Sequence, residues 1–313
     1  MSNMNDAFGL RMRYGSTKGQ YETEFEPATG TIWGYFKPDG RACFSLGLLR
    51  DIRLHDSALA VNGGKVEIEG DMRTPKFYVC GSRVPGVFNL GGDLSLFLML
   101  IRSKDRQALA AYARMCIDNM FARVQNYYSP NLITISMVQG DALGGGFECA
   151  LSSDVVVAER GTQLGFPEIL FNMFPGMGAY SLLARRVGMR EAEKMILSGR
   201  MMSAEELHAA GVVDVLAEPG EAQAATEEWI ARTAKRHNGT QAVLRARTLV
   251  HPISRQELDS IADVWVDAAF RLAEKDLRMM GRLVRSQMRL SESLADGDAA
   301  AAIEPIVAVA AAV

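Results

Sequence analysis

Cysteine and histidine are scarce in this chain of 313 residues, and neither is clustered. The four cysteines, Cys43, Cys80, Cys116 and Cys149, include no C-x-x-C pair. That argues against a disulfide framework or a thiolate zinc site, and they read as reduced core residues of a cytosolic protein. His55, His208, His237 and His251 are equally dispersed, so no metal site is expected. Charge of one sign is missing too: 34 basic residues against 37 acidic ones leave a net −3 and a pI near 5.9. That balance argues against broad nucleic-acid binding. No apolar run reaches the roughly 18 residues of a membrane span, and residues 1–20 lack the apolar core of a signal peptide. A cytoplasmic protein is the expectation. A chain 48% hydrophobic and of this length can bury one full core with an appendage.

The chemistry-bearing stretch runs from Val138 to Gly178. A β-type run, Leu132 to Val138, ends at Gln139-Gly140; Gly144, Gly145 and Gly146 follow, then an apolar run of helical character from Phe147 to Leu151. A strand feeding a glycine turn into a helix start leaves N–H groups without partners, and glycine lets a reacting carbonyl approach them. Glu148 lies in the first turn of that helix and Glu168 follows in Phe166-Pro167-Glu168. Between them come a short helix, a strand (Val155 to Ala158) and a turn at Arg160-Gly161. A strand advances about twice as far per residue as a helix, so the chain can return to its starting level. Two carboxylates facing one pocket is what general acid/base chemistry requires.

The stretch resembles the crotonase (enoyl-CoA hydratase/isomerase) superfamily in its glycine triplet, a glutamate two residues on and a second glutamate in a Pro-Glu pair. More narrowly, VFNLGGDLSLF (87–97), VQGDALGGGFECALS (138–152) and FPEILFNMFPGMGAYS (166–181) are similar to diffusible signal factor synthases. Those enzymes make cis-2-unsaturated fatty-acid quorum signals in Gram-negative bacteria. The resemblance runs from about Arg41 to Arg289. It implies an α/β core built as a spiral of ββα turns with a C-terminal helical region, and no cofactor. It also implies an oxyanion hole from the N–H groups of Gly92 and Gly145, with Glu148 and Glu168 sharing the acid and base roles. Many relatives carry Ala-Gly-Ala-Asp where this chain has Leu90-Gly91-Gly92-Asp93. The departure favours the signal-synthase subfamily.

Residues 1–18 read as a poorly ordered segment, 19–218 as the crotonase-like core, 219–290 as a helical lid or oligomerisation region, and 291–313 as an alanine-rich tail. Within the core, Gly19 to Pro38 reads as a hairpin. Helices are expected within Arg41 to Ala60, over Leu94 to Ile101 and Gln107 to Val124, and from Ala179 to Leu197 with a break at Gly188. Ser203-Ala-Glu-Glu206 is a capping box. Ala222 to Arg236, Gln241 to Val250 and Ser254 to about Arg289 complete the helical part. Along the last of these, Arg271, Lys275, Arg278, Arg282, Arg285 and Arg289 form one basic stripe. It reads either as a solvated face partly paired with Glu274 and Asp276, or as a docking edge for an acidic partner such as acyl carrier protein.

The reaction this implies is dehydration of a 3-hydroxyacyl thioester on acyl carrier protein, followed by hydrolysis to a free cis-2-enoic acid. No Gly-x-Ser-x-Gly elbow is present, so a glutamate-assisted water is expected rather than a serine nucleophile. An acyl chain needs an apolar pocket. Phe171, Met173, Phe174 and Trp265 are the candidates, and Trp265 reads equally as a core residue. Two rivals stand beside this reading: an enoyl-CoA hydratase/isomerase taking acyl-CoA, and a crotonase-fold binding or regulatory protein with an idle pocket. The resemblance further implies a homotrimer and, for some signal synthases, a sensor-kinase regulator.

Overall fold

The computed structural model describes residues 10–15 and 18–295, with side chains to residue 289. Three strands open the chain: β1 (Met12–Tyr14), β2 (Tyr21–Glu26) and β3 (Thr31–Phe36), paired antiparallel in that order. A helix, Leu46–Val61, leads to a small hairpin of β4 (Val66–Ile68) and β5 (Asp71–Arg73). Three strand pairs then repeat one theme: β6 (Phe77–Ser82) with β7 (Gly86–Asn89), β8 (Ile133–Val138) with β9 (Gly140–Leu143), and β10 (Val155–Glu159) with β11 (Gln163–Gly165). The first member of each pair joins a seven-stranded sheet, β1-β2-β3-β6-β8-β10-β13, parallel from β3 onward. The second member joins a four-stranded sheet, β12-β11-β9-β7. Here β12 is Met201–Ser203 and β13 is Val215–Ala217. A helical segment follows each pair, so the ββα spiral is the architecture.

Strand β8 shows how the residues dictate the layers. Its Ile133, Ile135 and Met137 alternate with Thr134 and Ser136, which places the apolar set on one face. That set packs with Trp33, Phe77, Val79 and Ile230 under the helix Ala222–Ala234. Thr134 and Ser136 face the other layer, where the Thr134 hydroxyl donates to Asp154 at 3.2 Å and Ser136 meets Ser153 at 2.7 Å. The larger core lies on that second face and holds Phe36, Leu48, Tyr78, Phe147 and Trp265.

Several boundaries differ from the sequence reading. Met12–Tyr14 is a strand, inside the segment read as poorly ordered; residues 1–9 and 16–17 lie outside the described residues. Strands β7, β9, β11 and β12 were not expected, because three or four residues are too few to display a period. The helix read as continuous from Ser254 to Arg289 is two, Arg255–Ala269 and Glu274–Ala295. No glycine or proline marks the break; Asp276 restarts the helix by accepting from the Ala273 N–H at 2.9 Å. Arg271 therefore lies in the break, and the helix runs to Ala295, into the stretch read as a tail. Of that tail, residues 296–313 lie outside the described residues. Among the described residues no helix is long and apolar enough to cross a membrane.

Candidate active site

The Leu90–Asp93 turn and the Gly144–Gly146 turn meet backbone to backbone. Gly91 has φ +87°, and a Cβ there would press on Leu143 O at 2.7 Å and Gly145 N at 2.9 Å. Asn89 Oδ1 accepts from the Gly91 N–H at 2.8 Å. Asp93 caps the next helix, Leu94–Arg102, and takes an ion pair from Arg41 at 3.0 Å. Tyr112 pins the same loop from the helix Arg106–Val124: its hydroxyl donates to Phe44 O at 2.7 Å and accepts from the Asp93 N–H at 3.3 Å. Gly145 opens the helix Gly145–Leu151, where an N–H has no intrahelical acceptor. Gly92 and Gly145 line one cavity.

The glycine at position 92 also has a packing reason. A Cβ there would lie 2.6 Å from the Phe97 ring, which is wedged between Tyr112 and Trp265 at centroid distances of 5.0 and 5.1 Å.

Glu148 and Glu168 reach the same cavity. Glu148 is 1% exposed, and its Oε1 accepts from the N–H groups of Met177 and Ala179 at 2.8 and 2.9 Å. Burial pushes its carboxyl up to about 7, and the two backbone donors temper the rise. Glu168 sits on a one-turn 3₁₀ segment, Pro167–Phe171, with its Oε1 packed against Gly144 and its Oε2 unpartnered in the protein. Burial and then the neighbouring Glu148 carboxylate push Glu168 up to about 8.

The rest of the wall is mostly apolar and leaves about 100 Å³ open. Phe171, Met173 and Trp265 line it; Phe174 is half-buried and does not. Trp265 also belongs to the main core and packs against Gly176. The helix Arg106–Val124 contributes Tyr112, Cys116 and Met120, part of the stripe its periodicity displays. Sequence reasoning missed Tyr112 as the loop's anchor, Phe97, and the Met177 and Ala179 donors. The glycines of Phe174-Pro-Gly-Met-Gly178 were the available signal for those donors, since Gly178 takes φ +129° to aim them. Among the described residues no group of His, Cys, Asp and Glu could hold a metal ion.

These pKa shifts make stability depend on pH. Both carboxyls hold protons at higher pH folded than unfolded, where their ordinary value is 4.5. The folded state is therefore favoured by acid, and stability falls as pH rises from about 4.5 through 7 to 8. Glu168→Gln removes one of the two charges. Its urea midpoint is expected to match wild type near pH 5 and to exceed it near pH 9; equal midpoints at the higher pH would contradict the buried-charge account.

Residues 76–268 match the family model described as Enoyl-CoA hydratase/isomerase, and the chain belongs to that family. Among curated relatives, the peroxisomal fatty acid beta-oxidation multifunctional protein AIM1 of Arabidopsis thaliana is 31% identical over 144 residues. That match covers 46% of this chain but 19% of the relative, so the chain spans about a fifth of that protein. Among solved structures, enoyl-CoA hydratase from Bacillus halodurans has a TM-score of 0.68 at 17% identity, covering 84% of this chain and 98% of that one. Pseudomonas aeruginosa DspI has a TM-score of 0.58 at 22% identity, covering 82% and 91%. At these identities the structural likeness is one of fold.

Proposed function

We propose that the chain dehydrates a 3-hydroxyacyl thioester on acyl carrier protein and then hydrolyses it to a free cis-2-unsaturated fatty acid, a quorum-sensing signal. The observation that carries the first step is the pair Glu148 and Glu168 in one apolar cavity beside Gly92 and Gly145. Two backbone donors favour the anion at Glu148, while burial and the Glu148 charge hold the proton on Glu168. Glu148 then takes the C2 proton, and Glu168 gives its proton to the departing C3 hydroxyl, which leaves as water. The thioester oxygen, negative in the transition state, faces the Gly92 and Gly145 N–H groups. In the second step water adds to the thioester carbon, the carrier thiol leaves with a proton, and the same donors face the same oxygen.

The signal-synthase motifs and the C-terminal helix support the choice of carrier. Met280 of that helix lines the cavity, while Lys275, Arg278, Arg282, Arg285 and Arg289 stand exposed on its other side. None of these five has a carboxylate within 4.0 Å among the described residues: Glu274 pairs with Arg102, and Asp276 accepts from Asn172 and Ala273. Five cations with no carboxylate partner among the described residues, beside the cavity wall, suit an acidic carrier domain. Trimeric assembly is part of the proposal, and it fits the fourteen-residue helix His237–Val250, which buries no side chain within its own chain. The family itself and the relatives' names favour the second reading, an enoyl-CoA hydratase/isomerase using coenzyme A thioesters.

Purified protein given 3-hydroxydodecanoyl-acyl carrier protein is expected to release free cis-2-dodecenoic acid, resolved by mass spectrometry and double-bond geometry. Reversible hydration of the coenzyme A thioester with no free acid would establish the second reading. No turnover on either carrier would sink both and favour a binding protein.

A further inference from the structure

The cavity that holds the two glutamates is not apolar throughout. Asp56, Asn119, Arg123, Tyr21 and Tyr127 also line it, and all five are more than nine-tenths buried. The helix Arg106–Val124 gives their depth. Tyr112 touches the glycine loop, and Asn119 lies seven residues further along, roughly 10 Å of helical rise. The polar group thus sits a medium acyl chain's length from the thioester position.

Buried polar atoms are normally paired, and most here are. Arg123 donates to Ser153 Oγ at 2.6 Å, Ile135 O at 3.0 Å and the Tyr127 hydroxyl at 3.3 Å. Tyr21 and Tyr78 share a hydroxyl contact at 2.6 Å. Asn119 Nδ2 donates to Leu49 O at 3.0 Å, which fixes the amide and leaves Oδ1 as an acceptor without a protein partner. Asp56, 2% exposed, reaches His55 Nδ1 through Oδ1 at 3.4 Å, and its Oδ2 has no protein partner. Two acceptors without a protein partner therefore belong to residues that line the cavity. A methyl terminus would leave both unpaired. A carboxylate terminus would bring more acceptors to Asp56, and Arg123 already spends most of its N–H groups on Ser153, Tyr127, Ile135 and Ser136. A hydroxyl fits: it donates to Asp56 or Asn119 and can accept from Tyr127.

We propose that the preferred acyl chain carries a hydroxyl at or near its far end, held by Asp56 and Asn119. The proposal rests on the reading above only in that the cavity holds an acyl chain; whether that chain is dehydrated or released is a separate matter.

The test uses the full chain and three coenzyme A analogues with a methylene in place of the thioester sulfur, so that nothing can be hydrolysed. Their acyl parts are octanoyl, 8-hydroxyoctanoyl and the half-acid octanedioyl, whose extended length matches that rise, and binding is measured by calorimetry. The hydroxy-ended analogue is expected to bind about tenfold or more tighter than the methyl-ended one. Asn119→Leu, checked for native circular dichroism, should erase the difference, and Asp56→Asn should reduce it. Equal or tighter binding of the methyl-ended chain in wild type would overturn the proposal without reference to any variant. So would tightest binding of the half-acid, or no binding of any analogue. Turnover of 3-hydroxyacyl thioesters is read separately, so either idea can fail alone.

Discussion

Glu148→Gln is expected to fold as wild type does and to lose about a hundred- to ten-thousand-fold in kcat for the proposed dehydration of a 3-hydroxyacyl thioester. The carboxamide oxygen can still accept from the Met177 and Ala179 N–H groups, so the segment they belong to stays in place. What it cannot do is take a proton. Glu148→Ala separates structure from chemistry: it leaves two buried donors with no acceptor, each costing about 1–3 kcal/mol. The pair of variants should therefore agree in lost activity and differ in urea midpoint, with alanine lower. Activity within a few-fold of wild type in the glutamine variant would remove Glu148 from the chemistry.

The second large effect is expected in the glycine triplet, where alanine has three different outcomes. At Gly146 a Cβ would fall inside 3.0 Å of the Asn89 carbonyl, a backbone group that cannot swing away. Gly146→Ala must force the two glycine turns apart, and it should cost about 3 kcal/mol or more together with nearly all activity. At Gly145 the nearest atoms to a Cβ are Gly91 Cα at 3.4 Å and Gly92 N at 3.5 Å, ordinary contacts, so Gly145→Ala should remain folded. At Gly144 φ is +50° and the intruding methyl would strike the Glu168 carboxylate. Gly144→Ala should thus lose activity out of proportion to stability. Thermal midpoints and kcat for the three variants decide the matter; a uniform response across the triplet would contradict the account.

The triplet also shows what sequence reading can and cannot resolve. Glycine after a strand and before a helix announces a turn, and that turn is there. Three identical letters do not reveal that one faces a carbonyl, one a carboxylate and one the other loop, because those neighbours lie far away in the chain. Long periodic elements were legible for the same reason in reverse: the helices Leu46–Val61 and Arg106–Val124 carry their pattern locally. The short strands of the second sheet carry none. The break between Ala269 and Glu274 was hidden because a side-chain cap, Asp276, makes it, rather than glycine or proline. Glu148 and Glu168 were legible through their spacing and flanks. Their shifted proton affinities were not, since burial is a property of the whole fold. Nor was the buried polar group around Asp56 and Asn119, assembled from two helices whose sequences give no sign of meeting.

The region that matches the family, residues 76–268, contains both glutamates and both glycine turns. Part of the cavity wall comes from outside it: Tyr21, Phe36, Phe44, Leu49, Ile52 and Asp56 from before it, Ala269 and Met280 from after it. The matched region thus carries both glutamates, both glycine turns and Asn119, while Asp56, the other half of the buried polar pair, comes from the flank before it. A cut of the chain to residues 76–268 would keep the two glutamates and open the cavity on the sides that these flanking residues close.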